Sequence, residues 1–271
     1  MARTLLQSGH KIVRVEEIET AEMMISRCAE ISNPAESDKV IQREVCQITT
    51  MATCVFNAHM PDPFCFLPNY IYAICMTDKL GLFVFGVCFI ETSMRKVTLA
   101  QFEDDANFTK LLNLLTMYPP DLVLLERDED IGSLIGTLTG HFKNVPVESL
   151  SPYTEFLSAT DTLVILSRAC YFRDSDGNLQ WPEIFAKIAD NRIPKSNAEY
   201  AIKSLGACVW YLQKSKIDIN VFTCATFSWY EPVDTVEDKN GGHEFMILDF
   251  STITSLKLIG DNETCTDFKK H

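Results

Sequence analysis

Residues 82–102, LFVFGVCFIETSMRKVTLAQF, decide the fold. Leu82 to Ile90 is a continuous apolar run, as expected of a strand covered on both faces. Val97 to Phe102 reads as a second strand, joined to the first by the polar turn Glu91 to Lys96. The pair predicts a hairpin inside a sheet. Upstream, Tyr70 to Met76 supplies another strand. Downstream, Asp104 and Asp105 stand before NFTKLLNLLTM (107–117), where carboxylates suit the positive end of a helix, and Phe108, Leu111, Leu112 and Leu115 share one face of it. Pro119 and Pro120 stop this helix. LVLLE (122–126) then reads as a strand that a right-handed crossover would lay parallel to the third. Residues 70–126 therefore predict a β-β-β-α-β unit of the α/β class.

Working outward from this unit, HKIVRVE (10–16) reads as a short strand and Thr20-Ala21-Glu22 as the start of the helix TAEMMISRCAE. SNPAESDK (32–39) is a polar loop, and VIQREVCQITT (40–50) a β-branched strand. Residues 1–56 thus resemble the tail of an α+β domain. NAHMPDPFCFLP (57–68), with three prolines, is a first linker, and DNRIPKSN (190–197) is a second. After it, Ser196 and Glu199 have capping-box spacing, and Ala201, Leu205, Cys208, Val209 and Leu212 form an apolar helical stripe. With only about sixty residues left, thirteen of them in the acidic loop 231–243, the stripe is expected to lack a partner. The expected units are 1–56, 68–190 and 196–271. On this reading, cutting the chain back to 1–195 would improve its solubility.

The chain has 271 residues, 46% of them apolar and 23% charged, which is globular composition. Its net charge of −13 is the wrong sign for a surface that grips nucleic acid phosphates unaided. Ten cysteines without C-x₂₋₄-C spacing, and no H-x₃₋₅-H, exclude the common zinc knuckles and suit a reducing compartment. The longest apolar run, Leu80 to Ile90, falls short of the roughly 20 residues that cross a bilayer, so no membrane partner is expected.

The motifs with chemical potential are few. Gly132, Gly136 and Gly140 repeat every four residues in GSLIGTLTG, around Thr137; a loose surface helix or close helix–sheet packing is the plainer reading. DSDGN (174–178) puts Asp174, Asp176 and Asn178 at alternate positions, but Leu179 and Phe185 stand where a calcium loop needs Gly and Glu, so it reads as a turn. Glu91 and Glu126 close two strands and on one reading share a carboxyl edge, as paired Mg²⁺-binding acids do in nucleases. Solvated strand-end acids are the rival reading. Trp181, Trp210 and Trp229 are not interleaved with basic residues and read as core aromatics rather than base-stacking platforms.

Six blocks together resemble the MutS family of DNA mismatch repair proteins, in its eukaryotic mismatch-recognising branch. LLQSGHKIVRVEEIETAEMMISRC (5–28) and REVCQITTMATCV (43–55) are similar to the end of the family's mismatch-binding domain. FGVCFIETSMRKVTLAQFEDD (85–105) and LLTMYPPDLVLLE (114–126) are similar to its connector domain, and SLGACVWYLQKSKID (204–218) and FMILDFSTITSLKL (245–258) to the entry of its lever. The resemblance implies a mixed α/β fragment: a ribonuclease-H-like connector sheet at 68–190, flanked by the end of an α+β mismatch-binding domain and a partial helical lever. It also implies a nuclear protein of DNA mismatch repair whose full-length form binds mismatched duplex and pairs with a MutS homologue two subunit. The family's Phe-x-Glu wedge and its ATP- and Mg-binding module are expected outside this sequence. Phe89-Ile90-Glu91 carries the wedge's letters by coincidence, and no catalytic, cofactor-binding or metal-binding residue carries over, so this chain is expected not to be an enzyme. Ala52 and Ser255 stand where the family usually has Gly and Asn, and Ala52 is expected to strain a left-handed turn. A metal-dependent nuclease on the same sheet, or an inert degenerate product, is the alternative.

Overall fold

The computed structural model describes residues 2–31, 33–53, 68–79, 82–128, 131–190, 192–232, 252 and 255. All but the last residue of the linker read at 57–68, all but two residues of the 231–243 loop and nearly all of the block at 245–258 lie outside the described residues.

The N-terminal unit comprises helix α1 (Ala2–Gln7), strand β1 (Ile12–Glu17), helix α2 (Ala21–Glu30), one turn of 3₁₀ helix and strand β2 (Arg43–Thr49). β1 and β2 pair antiparallel. The Thr20 hydroxyl accepts the Met23 amide at 3.3 Å, so the expected helix start is the observed cap. Arg27 donates to Glu19 at 2.7 Å, and Glu19 also takes the Gln42 amide, which ties the helix to the strand after it. The unit has little core of its own. None of the residues in α2, β1 or β2 is buried, while Val13, Val15, Met23, Ile25 and Val40 are more than half exposed. It meets the rest of the chain through Lys11 on Glu148 at 2.8 Å, the Ile48 amide on the Ser215 carbonyl at 3.1 Å, and buried Ala52, whose carbonyl accepts the Thr92 hydroxyl. Ala52 is not among the residues with positive φ, so the strain expected there is absent and its methyl is simply core.

The larger unit begins with strands β3 (Tyr70–Lys79), β4 (Leu82–Glu91) and β5 (Lys96–Asp104), each antiparallel to the next. Helix α3 (Thr109–Met117) follows, then strand β6 (Pro120–Glu126), helix α4 (Gly132–His141) and strand β7 (Val147–Leu150). Helices α5 (Ala159–Arg168) and α6 (Glu183–Ile188) lead to a two-residue ribbon, β8 (Ala189–Asp190) with β9 (Ile193–Pro194). Helix α7 (Glu199–Lys214), helix α8 (Asp218–Phe222) and strand β10 (Thr226–Trp229) complete it. The six-stranded sheet runs β10-β5-β4-β3-β6-β7, with β6 parallel to β3, β7 parallel to β6 and β10 parallel to β5. From β5 to β7 this is the ribonuclease-H-like order that the resemblance implies. LVLLE runs in the expected direction, but its neighbour is β3 rather than the third strand β5. The crossover through α3 passes over the hairpin and lands on the sheet's open edge.

Both faces of the sheet are covered, which explains the unbroken apolar runs. Ile71, Ala73, Cys75, Cys88, Ile90, Val97 and Leu99 point into a layer shared with α5, α6 and α7. Tyr72, Ile74, Phe85, Val87, Phe89, Ala100 and Phe102 point the other way, against α3 and Leu134 and Leu138 of α4. Asp104 accepts the Lys110 and Leu111 amides at 3.1 and 2.9 Å and Asp105 accepts that of Thr109, so these acids cap α3 as the charge argument requires.

The structure corrects the reading of the second linker. The stripe Ala201, Leu205, Cys208, Val209 and Leu212 is fully buried on the sheet beside α5, and β10 extends the same sheet. The break at 190–196 thus does not separate two cores. Sequence distance hid this: α7 returns across more than a hundred residues to cover β3 and β4. Nor does the Ser196/Glu199 capping box form. Gln101 of β5 does its work, accepting the Tyr200 amide at 2.9 Å while donating to the Ser196 carbonyl at 3.0 Å.

α7 lies directly on β4. A Cβ at Gly86 would overlap the Tyr200 carbonyl, and the Ser204 hydroxyl donates to the Gly86 carbonyl at 2.7 Å. At Gly206 the obstacle is the Thr162 side chain of α5. Gly86→Ala is therefore expected to cost roughly 1–3 kcal/mol or more by overpacking. Gly206→Ala, opposed by the side chains of Thr162 and Leu157 rather than by backbone, should cost less; denaturant unfolding of the two variants gives the comparison. A second outcome follows from the burial of α7. Shortening the chain to 1–195 removes α7 and β10, uncovering much of one face of the sheet, and should lower the melting temperature and promote aggregation. An improvement in solubility on that cut would contradict the packing.

Candidate functional site

The paired-acid reading depends on Glu91 and Glu126 sharing one edge, and they do not. β4 runs against β3 and β6, so Glu91 lies opposite Tyr70, whose partner on the other side is Pro120 at the start of β6. Glu126 is at the far end of β6, about 20 Å away at roughly 3.3 Å per residue. Glu126 instead accepts the Lys203 ammonium of α7 at 2.6 Å, with the Cys75 thiol at 3.8 Å. Burial alone would lower the Lys203 pKa, but Cys75 and Glu126 beside it raise it on balance. Burial pushes the Cys75 thiol up to about 12, far from a nucleophile's range. A lysine is thus seated where a cation would meet Glu126. Among the described residues no group of three or more His, Cys, Asp or Glu is placed to hold a metal.

The remaining motifs settle into structural roles. Asp174 accepts the Asp176 and Asn178 amides, closing the DSDGN turn. Gly132, Gly136 and Gly140 have nothing near an added Cβ, so their helix is the loose surface one and not a close-packed one. Phe89 is buried and stacked on Tyr72 at 5.0 Å, held within the sheet rather than projecting as a wedge. Trp181 packs on Phe172 and Phe185, and Lys214 sits over the Trp210 ring at 4.5 Å.

Sequence reasoning missed a cavity of about 200 Å³ at the Glu91 end of the sheet. Tyr70, Phe89 and Tyr118 form one wall, with ring centroids 5.2 to 6.1 Å apart. Tyr230, Thr98 and Ser228 form another, the two hydroxyls bonded to each other at 3.0 Å. Glu91 and Lys96 stand at the rim. Burial, together with Glu91, pushes the Tyr70 hydroxyl up to about 12. Strand alternation does place Tyr70, Phe89, Glu91, Lys96 and Thr98 on one face. Only the observed end of α3 at Met117 shows that the described helices leave this corner uncovered.

No family model matches the chain. Over its whole length it is 31% identical to the probable DNA mismatch repair protein Msh6 of Drosophila melanogaster. It is 32% identical to the DNA mismatch repair protein Msh6 of Homo sapiens over 94% of its length. The MutS resemblance thus holds across nearly the whole chain, and the relatives it matches are Msh6 proteins. The chain spans about a quarter of the length of the fly relative, 24%, and 20% of the human one. Among solved structures, a Fowlpox virus resolvase in complex with Holliday junction DNA aligns with 53% of the chain and 97% of its own, at 16% identity and a TM-score of 0.33, a likeness too loose to carry an argument. Among the described residues, no helix is long and apolar enough to cross a membrane.

The Lys203–Glu126 pair supplies a test of the corner that a nuclease would use. Glu126→Gln should cost roughly 1.5–3 kcal/mol, because it leaves a half-buried ammonium without its charged acceptor. The raised Lys203 pKa fixes the sign with pH: the contribution holds below the ordinary lysine value of about 10.4 and fades as pH climbs through the folded one. Millimolar Mg²⁺ should leave the melting temperature and a duplex substrate unchanged. A metal-dependent rise lost in Glu126→Gln would restore the nuclease reading.

Proposed function

We propose that this chain acts in DNA mismatch repair, in the nucleus, as the Msh6-type segment that joins the mismatch-binding domain to the rest of the protein. The observation that carries the reading is the alignment with Msh6 proteins across nearly all of its residues. In this proposal residues 1–56 complete the mismatch-binding domain, and the ribonuclease-H-like unit from residue 68 is the connector, a scaffold and not a nuclease. The segment beyond residue 230 leads toward the lever. The distance between Glu91 and Glu126, and the lysine occupying Glu126, support scaffold over nuclease. Recognition of mismatched duplex, and ATP hydrolysis with Mg, would belong to other parts of a full-length Msh6-type protein. The partner would be an Msh2-type subunit.

A scaffold couples through protein contacts, and with a net charge of −13 it lacks the counterion-release contribution to DNA affinity. The purified chain should therefore co-elute with an Msh2-type subunit in gel filtration. It should also bind mismatched duplex no better than matched duplex at physiological salt and hydrolyse no ATP. Separate elution would remove the coupling role, and tenfold or greater mismatch preference would move recognition into this segment.

A further inference from the structure

The cavity beside Glu91 has an unusual electrostatic composition. Glu91 and Lys96 are cross-strand partners, yet no ion pair joins them, and among the described residues no cation pairs with the Glu91 carboxylate. The Ser93 hydroxyl donates to it at 3.5 Å, and Tyr70 stands opposite it on β3. Around it stand the half-buried rings of Tyr118 and Tyr230 and the buried ones of Tyr70 and Phe89. A carboxylate without a counter-ion, backed by aromatic rings, favours a cation with a flat face.

The size narrows the occupant. About 200 Å³ is below the roughly 300–1,000 Å³ of pockets that enclose a whole small molecule, and suits a single inserted side chain. Charge narrows the source. A nucleobase would stack on the same rings, but the phosphates attached to it would face Glu91 and a chain of net charge −13. A basic protein segment meets a complementary field instead, and arginine among tyrosines is the usual composition of an interface anchor. We propose that this pocket seats the guanidinium of an arginine presented by a basic segment of a protein partner, stacked on the tyrosine rings and paired with Glu91. The proposal rests on the pocket alone and stands whether or not the chain acts in repair.

The test uses the 271-residue chain, with Nα-acetyl-arginine methylamide and its lysine counterpart as probes, followed by NMR. The arginine probe should give saturable shifts at Glu91, Tyr118 and Tyr230, and bind roughly tenfold more tightly than the lysine probe, since only a guanidinium stacks and pairs bidentately. Glu91→Gln and, independently, Tyr230→Ala should each weaken it by about tenfold, while Lys96→Ala should leave it unchanged or tighter. The absence of saturable shifts, equal affinity for lysine, or full binding by Glu91→Gln overturns the proposal. So does loss of binding in Lys96→Ala, which would mark an anion site. Adenosine monophosphate saturating these same resonances when the arginine probe does not would assign the pocket to nucleic acid and also overturn it.

Discussion

The contact on which the larger unit depends is the one between the backbone of α7 and Gly86 of β4. A helix normally stands off a sheet by the length of its side chains. Here the absence of a single Cβ lets the Tyr200 carbonyl sit on the strand, and the Ser204 hydroxyl closes onto the Gly86 carbonyl. That contact fixes the helix in both position and rotation. It brings Gly206 against Thr162 of α5, the Cys208 thiol to the Cys88 carbonyl and the Lys203 ammonium to Glu126. It also places the helix start over Gln101, which satisfies amides that the helix's own residues leave unpaired. An entire core layer follows from one small residue.

The direction of β4 has the corresponding influence on chemistry. Because the second strand of the sheet runs against the first and the fourth, the carboxyl ends of β4 and β6 face opposite edges. Glu91 and Glu126 therefore live in different surroundings. Glu126 is closed by a lysine beside a buried thiol, and Glu91 opens onto a tyrosine-lined cavity where, among the described residues, no cation pairs with it. Neither end supplies the pair of acids that two-metal chemistry needs, although the sheet itself is of a kind that hosts it.

The N-terminal unit shows the opposite balance. Its local signals are sound: the Thr20 cap, the β1–β2 ladder and the Arg27–Glu19 contact all form. Yet its apolar side chains, Val13, Val15, Met23 and Ile25 among them, stay more than half exposed among the described residues. Its position is set by a few polar contacts and by Ala52 entering the neighbouring core. Secondary structure here is a property of the segment, whereas burial would be a property of whatever packs on it.

The local layers of this protein were legible in its sequence. The run Leu82–Ile90, the turn at 91–96, the acids before α3 and the prolines after it each act over a few residues, where hydrogen-bond geometry and side-chain alternation leave little choice. The family resemblance was legible for a related reason, because its blocks lie along the strands and helices that build the sheet. What the sequence did not determine was which distant element covers which face. Polar and proline-rich residues at 190–197 read as a boundary, but they form a ribbon and a bend that return α7 to the sheet. The expected Ser196 cap yielded to Gln101, ninety-five residues away, because a tertiary acceptor was already in place. The cavity was hidden in the same way. Alternation puts Tyr70, Phe89, Glu91 and Thr98 on one face, but α3 ends before covering that corner, and only the assembled layers decide which part of a face is buried and which is left to bind.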